Sequence, residues 1–190
     1  MEKIQVVKQS QDIIQLLHSS IRAGVILGFI STVFTYSIYF IDFSLLASGL
    51  VGFGSFAIIL GVVIYSGIQY RNELGGFMTF DRSFNFSFIA LVTSALISSI
   101  ASILLYNIID PNLPIALGNV QLEKTLAMME RFGMGSKMSI EQMNEIRLRL
   151  YDNFKVAGVV NTFGLLILGS TFFALIIGAF IKKKNQFLNY

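Results

Sequence analysis

The sequence predicts an all-α polytopic membrane protein, with four transmembrane helices and an extracytoplasmic helical hairpin inserted between the third and the fourth. Three observations predict it. Hydrophobic residues make up 54% of the 190 and charged residues 13%, which leaves too little polar surface for a water-soluble domain of this size. Marking every Asp, Glu, Lys and Arg leaves four charge-free runs, Ala23–Ile41, Phe43–Tyr70, Ser83–Ile109 and Val156–Ile181, of 19, 28, 27 and 26 residues. A helix needs about 20 apolar residues to cross a hydrocarbon core about 30 Å thick, so each run holds one crossing and none holds two. The runs are also continuously apolar, whereas barrel strands alternate over only about 10 residues.

Residues 1–22 form a cytoplasmic or interfacial segment. Ile13, Ile14, Leu16, Leu17 and Ile21 recur at three- and four-residue spacing among polar residues, as in a helix lying along the interface. His18 falls within it and reads as solvated or headgroup-facing; a proton-sensing role would need a partner that the sequence does not place. Residues 23–109 hold transmembrane helices 1–3, at about 23–41, 45–68 and 84–106. The first run could also be a secretory signal cleaved near Ala47-Ser48-Gly49, but that point lies inside the second apolar run.

Residues 110–155 form the insert. Asp110-Pro111-Asn112-Leu113-Pro114 stops the third helix, since Pro lacks an amide donor and disfavours helical geometry in the residue before it. A helix is expected from about Asn119 to Phe132, with Leu122, Leu126 and Met129 on one face and Gly133 and Gly135 available to end it. A second starts at Ser139, where Gln142 completes a capping box and Met138 with Met143 can form a hydrophobic staple. Its apolar face is Met143, Ile146, Leu150 and Phe154. With no Pro or turn cluster beyond, the reading is one long helix from about Ser139 to Ile181 that includes transmembrane helix 4, residues 156–181. Residues 182–190 form a basic cytoplasmic tail.

Orientation follows from the basic residues. With Met1 inside, the cytoplasmic segments hold Lys3, Lys8, Arg22, Arg71, Arg82 and Lys182 to Lys184, eight of the 14 basic residues. Both termini are therefore expected in the cytoplasm, with Lys182 to Lys184 beside the anionic inner leaflet.

The polar chemistry of pumps and intramembrane enzymes is missing, for the four runs contain no ionisable Asp, Glu, Lys or Arg. There is no Cys, one His, and no nucleophile elbow, zinc-protease pair or phosphate-binding glycine loop. Glu141 and Glu145 lie one turn apart, but Arg149 continues the row and makes it a salt-bridged face. No enzyme activity, cofactor or metal is expected, and the excess of basic residues is read as orienting charge rather than a nucleic-acid surface. Small residues do recur at helical spacing: Gly24 and Gly28; Ala57 and Gly61; Ser94, Ser98 and Ser102; Ser170, Ala174 and Gly178. Such faces let backbones approach closely, either within a four-helix bundle or across a homodimer.

The string GIQYRNELGGFMTFDRSF, Gly67 to Phe84, followed by YNIIDPNL, Tyr106 to Leu113, resembles a family of small bacterial membrane proteins common in Bacteroidota, domain-of-unknown-function family 4199. Leu122 to Leu148 resembles its acidic, Met-rich helical insert, and FALIIGAFIKKK its last span and basic end. Gly75, Gly76, Phe77 and Phe80 carry most of the likeness, with Ile109, Asp110 and Pro111 next; Asp81 and Gln69 depart from it. The resemblance implies four helices in a bacterial cytoplasmic membrane, and no established activity.

Arg71, Gly75, Gly76, Phe77, Phe80 and Arg82 form the candidate inner-loop motif. One reading is a tight turn whose aromatics re-enter the headgroup region. The other is an anion site in which the two arginines and free glycine amides hold a phosphate or lipid headgroup. Two functions are compatible with the whole. One is a non-catalytic assembly bundle whose partners are the bilayer, a second copy, or a membrane or periplasmic protein; the other is a small permease or lipid-handling protein for an apolar or lipid-like substrate.

Overall fold

The computed structural model describes residues 2–133 and 139–184. Its helices are α1 (Glu2–Asp42), α2 (Gly49–Glu73), α3 (Phe80–Leu104), α4 (Leu113–Arg131), α5 (Ile140–Asp152) and α6 (Val156–Ile181), with a 3₁₀ turn at Phe43–Ala47 and a π turn at Leu105–Ile109. Four stretches are long and apolar enough to cross a membrane: Gln5–Ala47, Gly49–Glu73, Phe80–Ile109 and Val156–Ile181. Their outward side chains are apolar, with Leu50 83% exposed and Phe40 76%, as a membrane-facing surface requires.

The first segment differs from expectation. Residues 2–22 are not a separate interfacial helix but the start of α1, which continues through Arg22 and Ala23 without a break. Nothing there favours an interruption, because the chain contains no Pro before Pro111 and Gly24 is tolerated inside a helix.

The chain divides into two compact units. The first comprises Met1–Ser31, Phe56–Ser98 and Leu165–Tyr190. Its core gathers Leu27, Val63, Tyr70, Phe86, Ala90, Ile177 and Ile181. Small residues set the helix contacts: a Cβ on Gly24 would lie 2.6 Å from the Ala90 carbonyl oxygen, and one on Gly28 2.8 Å from Ile97 Cβ. On α6, a Cβ on Gly178 would lie 3.1 Å from the Phe84 nitrogen. Buried serines are quiet in this packing, since Ser20 Oγ, Ser83 Oγ and Ser87 Oγ donate to carbonyls four residues back on the same chain.

The second unit comprises Thr32–Ser55 and Ser99–Gly164. Leu105, Leu113 and Leu117 form its core, with Tyr36, Tyr39, Leu46, Tyr106 and Phe154 around them. Asp110 organises it. Its Oδ1 accepts the amides of Asn112 and Leu113, both at 3.1 Å, and its Oδ2 accepts the Tyr39 hydroxyl at 3.1 Å. The helix that follows begins at Leu113, several residues before the expected Asn119. Pro114 sits in its first turn, where a missing N–H costs nothing because it would have no intrahelical partner. Gly133 closes that helix with φ of 71°; Gly135 lies outside the described residues, as does Met138 of the expected staple.

The capping box at Ser139 is present: Gln142 N–H donates to Ser139 Oγ at 3.2 Å, and Ser139 N–H donates to Gln142 Oε1 at 2.9 Å. Met143, Ile146, Leu150 and Phe154 are all half-buried. The expected continuous helix to Ile181 is not, for α5 ends at Asp152 and α6 starts at Val156. Two features win over continuation. Phe154 packs edge-on against Tyr106, centroids 5.1 Å apart, which draws the chain out of the helical path. Gly158 then permits the close return, since a Cβ there would strike the Asp152 carbonyl and the Asn153 main chain. Lys155 Nζ holds Asp152 Oδ1 at 2.7 Å across the break. That bond, more than its opposing desolvation, raises the lysine's pKa, so its small contribution is present at neutral pH and lost as pH rises through the lysine's titration.

Ala57 and Gly61 are exposed, and a Cβ on Gly61 would meet nothing within 4 Å. The close contact on α2 is at Gly67 instead, against the Ile181 side chain. Gly24→Ala should therefore lower stability by about 1–3 kcal/mol through overpacking, while Gly61→Ala should leave it unchanged or raise it by about 0.5–1 kcal/mol. Thermal unfolding of the two purified variants in detergent checks this, and equal melting temperatures would contradict the packing.

Candidate functional site at the turn between α2 and α3

The turn joining α2 to α3 is built by its two glycines. Gly75 and Gly76 have φ of 85° and 87°, a region closed to most side chains. Gly75 N–H donates to the Asn72 carbonyl at 3.1 Å and Gly76 N–H to the Arg71 carbonyl at 3.0 Å, the paired bonds of a Schellman cap. These amides are therefore occupied by the end of α2, which removes them from the expected anion site.

Beyond the cap, the chain pairs with the residues that follow α6. Met78 and Lys183 exchange both main-chain hydrogen bonds at 2.9 Å, a single antiparallel pair. Met78 is buried as part of the core. Arg71 Nη1 donates to the Ile181 carbonyl at 2.9 Å, supplying a cation to the α6 C-terminus where carbonyls lack helical partners; its Nε is buried without a hydrogen bond among the described residues. Phe77 and Phe80 lie under cations, with Lys183 Nζ 5.8 Å and Lys182 Nζ 5.6 Å from their ring centres. Arg82 Nε donates to the Tyr70 hydroxyl at 3.0 Å, and its Nη2 reaches the Asp12 carbonyl at 3.4 Å. All six residues of the inner-loop motif thus meet at one place, where each has a part in joining helix ends.

The small residues are placed unevenly. Gly24, Gly28, Ser94, Ser170, Ala174 and Gly178 are buried, Ser98 and Ser102 are half-buried, and Ala57 and Gly61 face outward.

Beside the turn, the first unit contains a cleft of about 390 Å³. One wall is a single face of α1, carrying Gln15, His18, Ser19 and Arg22; the other is a single face of α2, carrying Ser66, Gln69, Tyr70 and Glu73. Both walls follow the same i, i+3, i+4, i+7 spacing, which lines one helix face. Tyr70 and Phe86 close its inner end, stacked with centroids 5.2 Å apart and planes 12° from parallel. Arg22, His18 and Glu73 are exposed and make no hydrogen bond or ion pair with another described residue. The cleft therefore offers an anion-binding group and a cation-binding group on opposite walls.

The apolar stripe of residues 13–21 does not announce this cleft; its signal is the polar stripe beside that one, repeated at the same spacing on α2. Tyr70 was missed because a buried tyrosine at a span end looks like any interfacial aromatic. Gly75→Ala should cost about 1–2 kcal/mol from the left-handed backbone alone, although the space around it is open. Melting in detergent reads this, and a variant as stable as the parent would contradict the cap.

No curated protein and no solved structure matches the chain. The sequence model of the family described as Protein of unknown function (DUF4199) matches residues 22–183, which include the α2 wall of the cleft, Arg22 but not Gln15, His18 or Ser19 of the α1 wall, the glycine turn, Asp110 and the Lys183 pair. On that match, the chain belongs to this family of proteins of unknown function.

Proposed function

We propose that this chain is a non-catalytic, multi-pass protein of a bacterial cytoplasmic membrane, with both termini in the cytoplasm, that binds a membrane or periplasmic protein through the α4–α5 hairpin. The observation that carries the reading is Met128 and Phe132, 60% and 72% exposed and one turn apart toward the end of α4. Exposed apolar residues on the spans are satisfied by lipid. These two are not placed in that way, because α4 and α5 also present Glu123, Lys124, Glu130, Arg131, Glu141, Glu145 and Arg149, which exclude the hairpin from hydrocarbon. Large apolar side chains on a hydrated, charged helix pair suit a protein contact. The basic residues around the α2–α3 turn and after α6 support the cytoplasmic assignment of that end.

The polar cleft favours a second reading, in which the chain handles a lipid or lipid-like molecule at the membrane surface. Arg22 and Glu73 stand on opposite walls and at opposite ends of the cleft, unpaired among the described residues, which is the arrangement of a ligand site more than of a structural ion pair.

The absence of Cys makes the first reading easy to test. In intact cells, Glu130→Cys should react with an impermeant maleimide and Thr79→Cys should react only after lysis; the reverse pattern would overturn the orientation. A photoreactive residue at Phe132 should give one recurring protein adduct that Met128→Lys abolishes. Adducts to lipid alone would remove the partner reading.

A further inference from the structure

We infer that the cleft between α1 and α2 binds a zwitterionic phosphoethanolamine group, the headgroup of an amine-bearing phospholipid. The inference sharpens the second reading above. It concerns binding only, so a failure to detect lipid movement across a membrane would leave it standing.

The argument begins with depth. Arg22 directly precedes the charge-free run that starts at Ala23, so its guanidinium is anchored at the edge of the apolar span. Glu73 stands three residues beyond Tyr70, where the charge-free run of α2 ends. α1 and α2 run antiparallel, and Tyr70 shares Arg82 with Asp12, so Glu73 stands beside the outer end of the α1 wall, near Gln15, while Arg22 lies seven residues, about 10 Å of helix, deeper. From hydrocarbon outward, the cleft thus presents a cation first and an anion second. A phosphoethanolamine headgroup has the complementary order, with the phosphodiester next to the glycerol and the primary ammonium beyond it. Side chains lean toward the N-terminus of their helix, Arg22 outward on α1 and Glu73 inward on α2, so the two charged ends approach each other along the cleft.

Size and chemistry agree with this order. A volume of about 390 Å³ is near the lower end of small-ligand sites, roughly 300–1,000 Å³, and suits a headgroup rather than a whole lipid. Ile26 lines the deep end and is 46% exposed, so the cleft opens onto apolar surface where acyl chains can remain in the bilayer. Arg22 supplies the planar donor that phosphate oxygens accept best. Glu73 accepts from an ammonium carrying N–H groups, and it repels a second anionic group. The neighbouring cations do not compete for the ligand, because Arg82 is held by Tyr70 and Asp12 and Arg71 by the Ile181 carbonyl. Selectivity follows: a choline headgroup has no N–H to donate, and a glycerol headgroup brings no positive charge to Glu73.

The test uses the full chain purified in detergent, mixed with equal amounts of dioleoyl phosphatidylethanolamine, phosphatidylcholine and phosphatidylglycerol, with adducts counted by native mass spectrometry. Charge-assisted hydrogen bonds lead us to expect phosphatidylethanolamine adducts about fivefold over each of the others. Glu73→Gln, nearly isosteric and exposed, should bring phosphatidylethanolamine down to the level of phosphatidylcholine. Arg22→Gln should lower adducts of all three. Equal adducts in the parent protein, or a preference that survives both substitutions, would overturn the proposal. Melting curves on the same samples show whether each variant is folded. An excess of soluble glycerophosphoethanolamine separates the two sources of the ligand. Displacement means the group is recognised without its chains, as for a soluble metabolite; retention of the lipid means the membrane supplies it. Either result supports recognition of the phosphoethanolamine group.

Discussion

The structure of the first unit depends on how its helix ends are tied at the α2–α3 turn. Between apolar helices in lipid there is little directional attraction, because a leucine against a lipid chain is as well off as a leucine against another helix. Close approach at Gly24, Gly28, Gly67 and Gly178 gains dispersion but leaves helices free to slide along their ridges. Directional bonds are found instead where the spans stop. The Met78–Lys183 pair fixes the register of the chain after α6 against the turn, and Arg71 caps α6 from the end of α2. Each bond is modest, of order 0.5–1.5 kcal/mol for neutral partners, yet together they select one axial arrangement from many of similar packing energy. The second unit uses the same device at Asp110, whose carboxylate serves the start of α4 and the Tyr39 hydroxyl together.

This division explains which parts were legible in the sequence. Four helices long and apolar enough to cross a membrane could be read because a charge-free run of about 20 residues is a local property of the sequence. The Ser139 start was legible because a capping box is local, its bonds spanning only three residues. Features set by contacts distant in sequence were not. The break at Asn153 is decided by Phe154 finding Tyr106, which no local pattern announces. Gly61 and Gly67 look alike in spacing rules, and only the position of Ile181 shows that the second is the packed one. The early start of α4 is a different case. Pro114 was read as a breaker when its place in a first turn is equally well allowed, so the rule was sound and its position was not.

The candidate site shows the same limit. The six residues of the loop motif meet at the α2–α3 turn, and its glycine amides are hydrogen-bonded within the helix cap. The cleft beside them lay in two polar stripes, Gln15 to Arg22 and Ser66 to Glu73, each ordinary by itself. Their pairing exists only once α1 and α2 are folded together. A site made from two exposed helix faces has no motif, because neither face needs an unusual residue to form it.

A count of basic residues treats every Lys and Arg at this end of the helices as equivalent orienting charge, and the structure separates them. Arg71 and Arg82 are bound into the protein by hydrogen bonds, and Lys182 and Lys183 lie over aromatic rings, where a cation is held while remaining hydrated. Arg22 differs from these four. It projects from an uninterrupted helix at the edge of an apolar span, with an acid on the facing wall and no bond to it. If orientation were its whole task, a lysine or arginine on any side of α1 would serve equally. Its position on the face shared by His18 and Ser19, across the cleft from the wall that carries Glu73, is what an orienting role does not require and a ligand bridging the two charges does.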